Sequence, residues 1–161
     1  MAAVAQSFES WYEREHPRLL GLLCAATGNV ERAAEATDEA FARALARWER
    51  VSRMESPSGW TYRVALNVVR KQMRQRERER RHPGTKEPER CVPASQPEVW
   101  EAVRALPARQ AEAVLLRYVA DLPEAEIASV MRVKRGTVAS LLSAARGRLA
   151  VLLAEELEEM Q

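Results

Sequence analysis

Apolar residues recur at three- and four-residue spacing through successive segments of the chain, and each segment closes on its own punctuation. Phe8, Trp11, Tyr12, Leu19, Leu20, Leu22 and Leu23 predict a helix over residues 7 to 27, stopped by Gly28 and Asn29 as a C-cap. Pro17 falls inside it and is expected to kink or restart that helix, because its ring removes one backbone donor. A second helix is predicted from about Val30 to Trp48, apolar at Ala33, Ala34, Thr37, Phe41, Ala44, Leu45 and Trp48. Residues 50 to 59 read as a loop, with Ser56-Pro57-Ser58-Gly59 supplying turn and cap chemistry. A third helix is predicted from near Trp60 through Val64, Ala65, Leu66, Val68 and Val69 into an arginine-rich run. Residues 82 to 97 break the pattern with four prolines, one glycine and mixed charge in sixteen positions. That composition buries too little surface to fold and reads as a linker. Helices resume at about 98 to 106 and again at 107 to 119.

The last third carries a more specific pattern. Leu122 to Met131 reads as a short amphipathic helix with Pro123 in its first turn. Arg132-Val133-Lys134-Arg135 makes a tight connection, and Gly136-Thr137-Val138 opens a second helix, apolar at Val138, Leu141, Leu142, Ala145 and Leu149. Ile127, Ala128, Val133 and Val138 are spaced so that the two helices can cross, with small Ala128 at the closest approach. A helix-turn-helix of this kind presents its second helix to the major groove of DNA. The expected fold is therefore all-α: two small helical domains, 1–81 and 98–161, joined by the flexible linker 82–97.

Composition narrows the function. The chain has 161 residues, and its 47% hydrophobic content supports real cores, while 6% aromatic content with abundant Ala, Leu, Arg and Glu favours helices. No run approaches the roughly 18 to 20 apolar residues of a membrane span, so no membrane insertion is expected. Early Glu9 and Glu13 do not fit a signal peptide, and the expected location is cytoplasmic. Cys24 lies in an apolar run and reads as a buried thiol, Cys91 lies in the linker, and neither has zinc spacing. His16 and His82 have no partner at ligand spacing either, so no metal or cofactor is expected.

Net charge is only +2, but it is unevenly spread. Between Arg70 and Arg81 seven basic residues face only Glu77 and Glu79, whereas the C-terminal tail carries Glu155, Glu156, Glu158 and Glu159. A local cationic stripe on a near-neutral chain points to a phosphate-facing surface. A solvated helix face laced with Glu–Arg pairs explains the same composition equally well. Catalytic apparatus is not expected: there is no phosphate-binding Gly-rich loop, no HExxH and no nucleophile elbow. The carboxylates Glu35, Asp38 and Glu39 read as a solvated or partner-binding face, not an acid/base pair.

At this point the residues carry a resemblance to the extracytoplasmic-function (ECF) sigma factors, the minimal two-domain branch of the sigma-70 family. The segment from Ala33 to Ala44 resembles the acidic-apolar helix of region 2 that docks on the beta-prime clamp helices of RNA polymerase. Trp60 to Lys71 resembles the segment that melts and reads the minus-ten element, and Leu106 to Tyr118 with the helix-turn-helix resembles region 4. The resemblance implies polymerase-binding roles for Glu35, Asp38, Glu39, Phe41 and Arg43. It implies minus-ten contacts by Trp60, Tyr62, Arg63, Asn67, Arg70, Lys71 and Arg74, with a flipped base pocketed by residues 51 to 58. It implies minus-thirty-five contacts by Lys134, Arg135, Thr137, Ser140 and Arg146. The partners it implies are core RNA polymerase (beta-prime clamp helices and beta flap) and promoter DNA, with room for an anti-sigma factor. The resemblance covers nearly the whole chain, and the order and spacing of the motifs are more specific than any one of them.

The residues themselves weigh these roles unequally. Trp60 is large and borders an apolar face, which favours the core. Arg63, Asn67, Arg70 and Arg74 share one helical face and are better placed to meet nucleic acid. Arg132 stands where the family usually has Gly, at a position that commonly needs positive φ. Ala139, Leu141 and Ser143 stand where the recognition helix usually carries basic side chains, which shifts weight toward backbone and shape contacts. Asp38 replaces the usual Gln. A stand-alone helix-turn-helix regulator remains open for residues 107 to 153 but leaves the first 81 residues without a purpose. A helical protein-binding adaptor leaves the basic stripe unexplained. Limited proteolysis is expected to cut first within 82–97 and to release two stable helical fragments. A full-length chain that resists digestion would place the boundary elsewhere.

Overall fold

The computed structural model describes residues 6–80 and 96–159, and every regular element among them is an α-helix. In chain order these are α1 (Phe8–Thr27), α2 (Val30–Ala46), α3 (Trp48–Val51), α4 (Pro57–Glu79), α5 (Pro97–Ala105), α6 (Ala108–Tyr118), α7 (Glu124–Met131) and α8 (Arg135–Glu159). Of the expected linker, only Gln96 and Pro97 are among the described residues, and Pro97 already belongs to α5 as a first-turn proline.

Local chemistry sets the boundaries of the first helices. Ser7 Oγ accepts from the Ser10 N–H at 3.2 Å to start α1. Gly28 ends it in the left-handed region at φ 63, with its N–H on the Cys24 carbonyl at 2.9 Å. Pro17 does not restart the helix: α1 runs through it as one element. Trp11 before Pro17 and Leu19, Leu22 and Leu23 after it are all buried, so packing on both sides outweighs one lost hydrogen bond. Cys24 is half-buried, not sealed in the core. Asn29 Oδ1 caps α2 through the Arg32 N–H at 3.0 Å. Ala33, Ala36, Ala40 and Ala44 form a fully buried stripe of small residues, and α1 and α4 pack on this helix.

Two details of the N-terminal half differ from the sequence reading. The stretch read as a loop from residue 50 holds the end of the short helix α3, whose Val51 is fully buried, and α4 begins at Pro57, three residues before Trp60. Ser56 Oγ accepts from the Gly59 N–H at 3.0 Å, so the cap chemistry is as expected but the helix it opens is longer. Leu45 is 55% exposed although it fits the apolar pattern. The aromatic residues close the bottom of this bundle: the Trp11 ring lies 4.8 Å from Trp48 and 5.2 Å from Phe41.

The C-terminal helices form the crossing that the spacing predicted. Ile127, Val138, Leu142 and Ala145 are buried at 1% exposure or less, and Ala128 is buried at the crossing. The Val133 N–H closes onto the Ala128 carbonyl at 3.0 Å, and Arg132 takes φ 55 and ψ 48, the left-handed conformation expected at that position. Helix α8 contains one stretch, Arg135–Glu155, long and apolar enough by length and composition to cross a membrane, which the run-by-run reading did not detect. Its Val138, Leu142 and Ala145 face the core.

The two halves share one continuous apolar core. Helix α7 lies on α4, and α5 and α6 lie on α1. Gly28 lies where the halves approach, and Gly59 leaves room for the Ser56 cap of its own helix. A Cβ on Gly28 would sit 3.2 Å from the Arg104 guanidinium, which donates from Nη1 to the Ala25 carbonyl at 3.3 Å. A Cβ on Gly59 would meet Ser56 Oγ at 2.7 Å and Val130 at 3.5 Å. Because Arg132 pays the left-handed penalty of a side chain, Arg132→Gly is expected to stabilise the fold by about 1 kcal/mol, read from urea unfolding. A loss of stability would mean that contacts of the Arg132 side chain outweigh the strain.

Candidate nucleic-acid interface

Three surfaces carry the residues singled out in the sequence, and α4 carries the most. Its Trp60, Arg63, Asn67, Arg70 and Arg74 follow three- and four-residue steps and share a face, while Ala65, Leu66, Val68 and Val69 bury the rest. Asn67, Lys71 and Arg74 are exposed, and Trp60, Arg63 and Arg70 are half-buried. Tyr62 departs from its expected role. It is 2% exposed, and its hydroxyl donates to Glu15 Oε2 at 3.3 Å. Burial first, and the Glu15 carboxylate second, hold its pKa well above the ordinary tyrosine value. Tyr62 is a core residue tying α4 to α1, because it lies two residues after Trp60 and one before Arg63, off the face that they share.

The exposed face of α4 is itself partly covered. Helix α7 lies across it and leaves a cavity of about 390 Å³ between the halves. Ser56, Trp60 and Arg63 line one wall, and Glu126, Ser129 and Val130 line the other. Met54 and Glu55 close the cavity from the segment expected to pocket a flipped base. Trp60 is therefore half-buried, packed against the core on one side and lining the cleft on the other. The Arg63 guanidinium has its pKa lowered by burial and then by the charge of Arg132 from the other half. Farther along, Arg70 donates from Nε to Glu112 Oε1 at 2.5 Å and from Nη1 to Asn67 Oδ1 at 2.7 Å.

The second surface is the start of α8. Lys134, Arg135, Thr137, Ser140 and Arg146 are all exposed, as a groove-reading helix requires. Arg135 Nε is 3.8 Å from Glu124 Oε2, Ser140 Oγ donates to the Gly136 carbonyl at 3.0 Å, and Arg146 Nε donates to the Tyr118 hydroxyl at 3.1 Å. Leu141 is half-buried against the core, which accounts for an apolar residue on this helix.

The third surface is the acidic side of α2. Glu35 and Asp38 are exposed and Glu39 half-buried. Glu35 Oε2 accepts from Gln72 Nε2 at 3.2 Å, Asp38 lies 3.9 Å from His16 Nε2, and Glu39 pairs with Arg43. Phe41 does not belong to this surface. It is 3% exposed, packed among Trp11, Tyr12 and His16, and supports the helix from within.

Sequence reasoning did not single out Glu112, Glu126 or Ser129. Glu112 had a signal: it is the one charged position in the run from Ala111 to Leu116, and it is 7% exposed. Glu126 and Ser129 read as the polar side of a short helix and gave no sign that they would face α4.

Known proteins share this arrangement. Residues 11–79 match the model for sigma-70 region 2, and residues 97–149 match the model for sigma-70 region 4. The sigma factor RpoE of Bartonella quintana, solved in complex with the anti-sigma factor NepR, superimposes with a TM-score of 0.78 at 22% identity, covering 91% of this chain and 96% of that one. CnrH, solved with the cytosolic domain of CnrY, superimposes with a TM-score of 0.68 at 17% identity, covering 92% of this chain and 88% of that one. No curated protein matches the chain.

Proposed function

Because the chain belongs to the sigma-70 family of RNA polymerase sigma factors, in its ECF branch, and so acts in promoter-directed transcription, we propose a division of labour between its two DNA-facing surfaces. Residues 1–81 bind core polymerase through the acidic side of α2 and capture the opened minus-ten strand on α4. Residues 98–161 bind the polymerase beta flap and anchor the minus-thirty-five duplex through the start of α8. Residues 82–97 join the two as a linker. The single observation that carries this reading is the face of α4, where Trp60 borders a cavity in line with Arg63, Asn67, Arg70 and Arg74. Single-strand binding combines a flat aromatic surface for a base with cations that follow the backbone, and this face offers both. Tyr62 and Phe41 take no part in contact. Lys71 adds a further cation beside the strand.

The protein works in the cytoplasm, with polymerase and promoter DNA as its partners and no catalysis or cofactor of its own. RpoE was solved with an anti-sigma factor, and its likeness in fold supports the view that this chain too is held by one. A mobility-shift assay with and without core polymerase tests the reading as a whole. The isolated chain is expected to bind promoter duplex weakly and to gain specific, salt-sensitive binding only with core polymerase, because its phosphate-facing groups are divided between separated patches. Tight sequence-specific binding by the chain alone would favour a stand-alone regulator.

The roles of the two surfaces can be separated. Single-strand contacts stabilise only the opened promoter, whereas duplex contacts stabilise closed and opened states about equally. Arg63→Ala or Asn67→Ala is therefore expected to impair opening while leaving closed binding largely intact, at about 1 to 3 kcal/mol per lost contact. Arg135→Ala is expected to weaken recruitment to duplex while transcription from a pre-melted template persists. Permanganate footprinting on matched linear and bubble templates reads both effects, and equal defects on both templates would refute the assignment.

A further inference from the structure

The packed form places one arginine in two jobs. On the reading of α4 as the minus-ten surface, Arg70 meets the DNA backbone, yet here its guanidinium is engaged by Glu112 of the other half at 2.5 Å. We propose that Glu112 stands in for a DNA phosphate on Arg70, so that closure of the two halves and capture of the opened strand compete for the same guanidinium. A carboxylate and a phosphate offer arginine the same class of charged oxygen acceptor, and a planar guanidinium engages one or the other. The competition extends beyond one side chain. Asn67 is tied into the same group by its bond to Arg70, and Glu126 and Ser129 of α7 face Trp60 and Arg63 across the cavity. Three of the residues assigned to strand capture, Trp60, Arg63 and Arg70, thus face or pair with the C-terminal half, and Asn67 is held by Arg70.

The ion pair is built so that it can be exchanged. Glu112 is 7% exposed, but its Oε2 is a buried atom without a hydrogen bond, and Arg109 Nη1 lies 3.6 Å away, beyond hydrogen-bond length. A buried carboxylate with one unsatisfied oxygen carries a desolvation cost that opening to water removes. Arg70 itself keeps more than a third of its side chain exposed, so an incoming phosphate can reach it. The recognition residues of α8 are exposed in the same packed form. Duplex anchoring is therefore compatible with closure, and strand capture is not.

The test uses the full chain and its variants Glu112→Gln, Arg70→Ala and Ser129→Trp, each checked for helicity by circular dichroism. Small-angle scattering reads the separation of the halves, and fluorescence anisotropy with a short labelled oligodeoxythymidine reads strand binding. Glu112→Gln is expected to expand the chain and tighten binding about three- to tenfold, since apparent affinity scales with the fraction of competent chains. Ser129→Trp wedges α7 from α4 without touching Glu112 and is expected to do the same. Arg70→Ala is expected to expand the chain but bind no more tightly than the parent. A Glu112→Gln chain with unchanged dimensions and affinity overturns the proposal. So does tightening by Ser129→Trp alone, which would make α7 a cover with no part for Glu112. Equal tightening by Glu112→Gln and Arg70→Ala also overturns it, and in that case the failure lies in the assignment of Arg70 to the DNA strand.

Discussion

Everything in this structure depends on α4 being gripped from two sides. One side carries Ala65, Leu66, Val68 and Val69 into the bundle made by α1 and α2. The stripe of alanines on α2 is what lets the backbones approach, and Tyr62 fixes α4 on α1 by reaching Glu15. The other side carries Trp60, Arg63 and Arg70, and onto it the C-terminal half lays α7 and α6. The first contact is apolar and continuous. The second is also apolar in part, since the core runs on into the C-terminal half, but it adds a cavity, an ion pair and like charges on Arg63 and Arg132. Because well-packed apolar burial is worth far more than a partly exposed ion pair, the first grip, apolar along its length, is the stronger of the two.

That inequality gives the molecule its degrees of freedom. Separating α4 from α2 would expose the core of the N-terminal half, including fully buried Ala33, Ala36 and Ala40. Separating α4 from α7 exposes Val130 and uncovers Trp60 and Met54 at the cavity, and frees charged groups to water. Local opening follows the weaker contacts, and surfaces that must change partner are drawn from them. On the proposed division of labour, a protein that presents one surface to single-stranded DNA and another to duplex has reason to place its weaker seam there.

Much of this was legible in the chain. The C-cap at Gly28, the cap chemistry at Ser56, the crossing at Ala128 and the left-handed Arg132 all follow from short-range rules that a sequence displays. The surface cations of α8 were legible for the same reason: polar residues on an amphipathic helix face outward. The errors have a common source. Tyr62 and Phe41 were assigned by resemblance to surfaces that their own helical phase denies them, and the phase was recoverable from neighbours such as Ala65 and Ala44. Pro17 does not restart α1, because the buried Leu19 and Trp11 on either side hold one helix through it. The contact of α7 with α4 was not legible at all. Glu126 and Ser129 obey every rule for a solvent-facing position, and only the tertiary arrangement shows what faces them.

Charge explains why such a seam can be stable without being permanent. A net charge of +2 hides opposed local balances, and the halves meet where an arginine of one faces a glutamate of the other. Screening by salt weakens that attraction, while the apolar grip of α2 on α4 is insensitive to it. A phosphate strand brings many charges close together and needs no burial to compete with a single carboxylate. On the competition proposed above, the Arg70–Glu112 pair is the part of the seam that salt weakens, and a polyanion that engages Arg63, Arg70, Lys71 and Arg74 together would displace it. An interaction strong enough to resist that polyanion would also have fixed α4 against α7 permanently, and the cations of α4 would then serve only the fold.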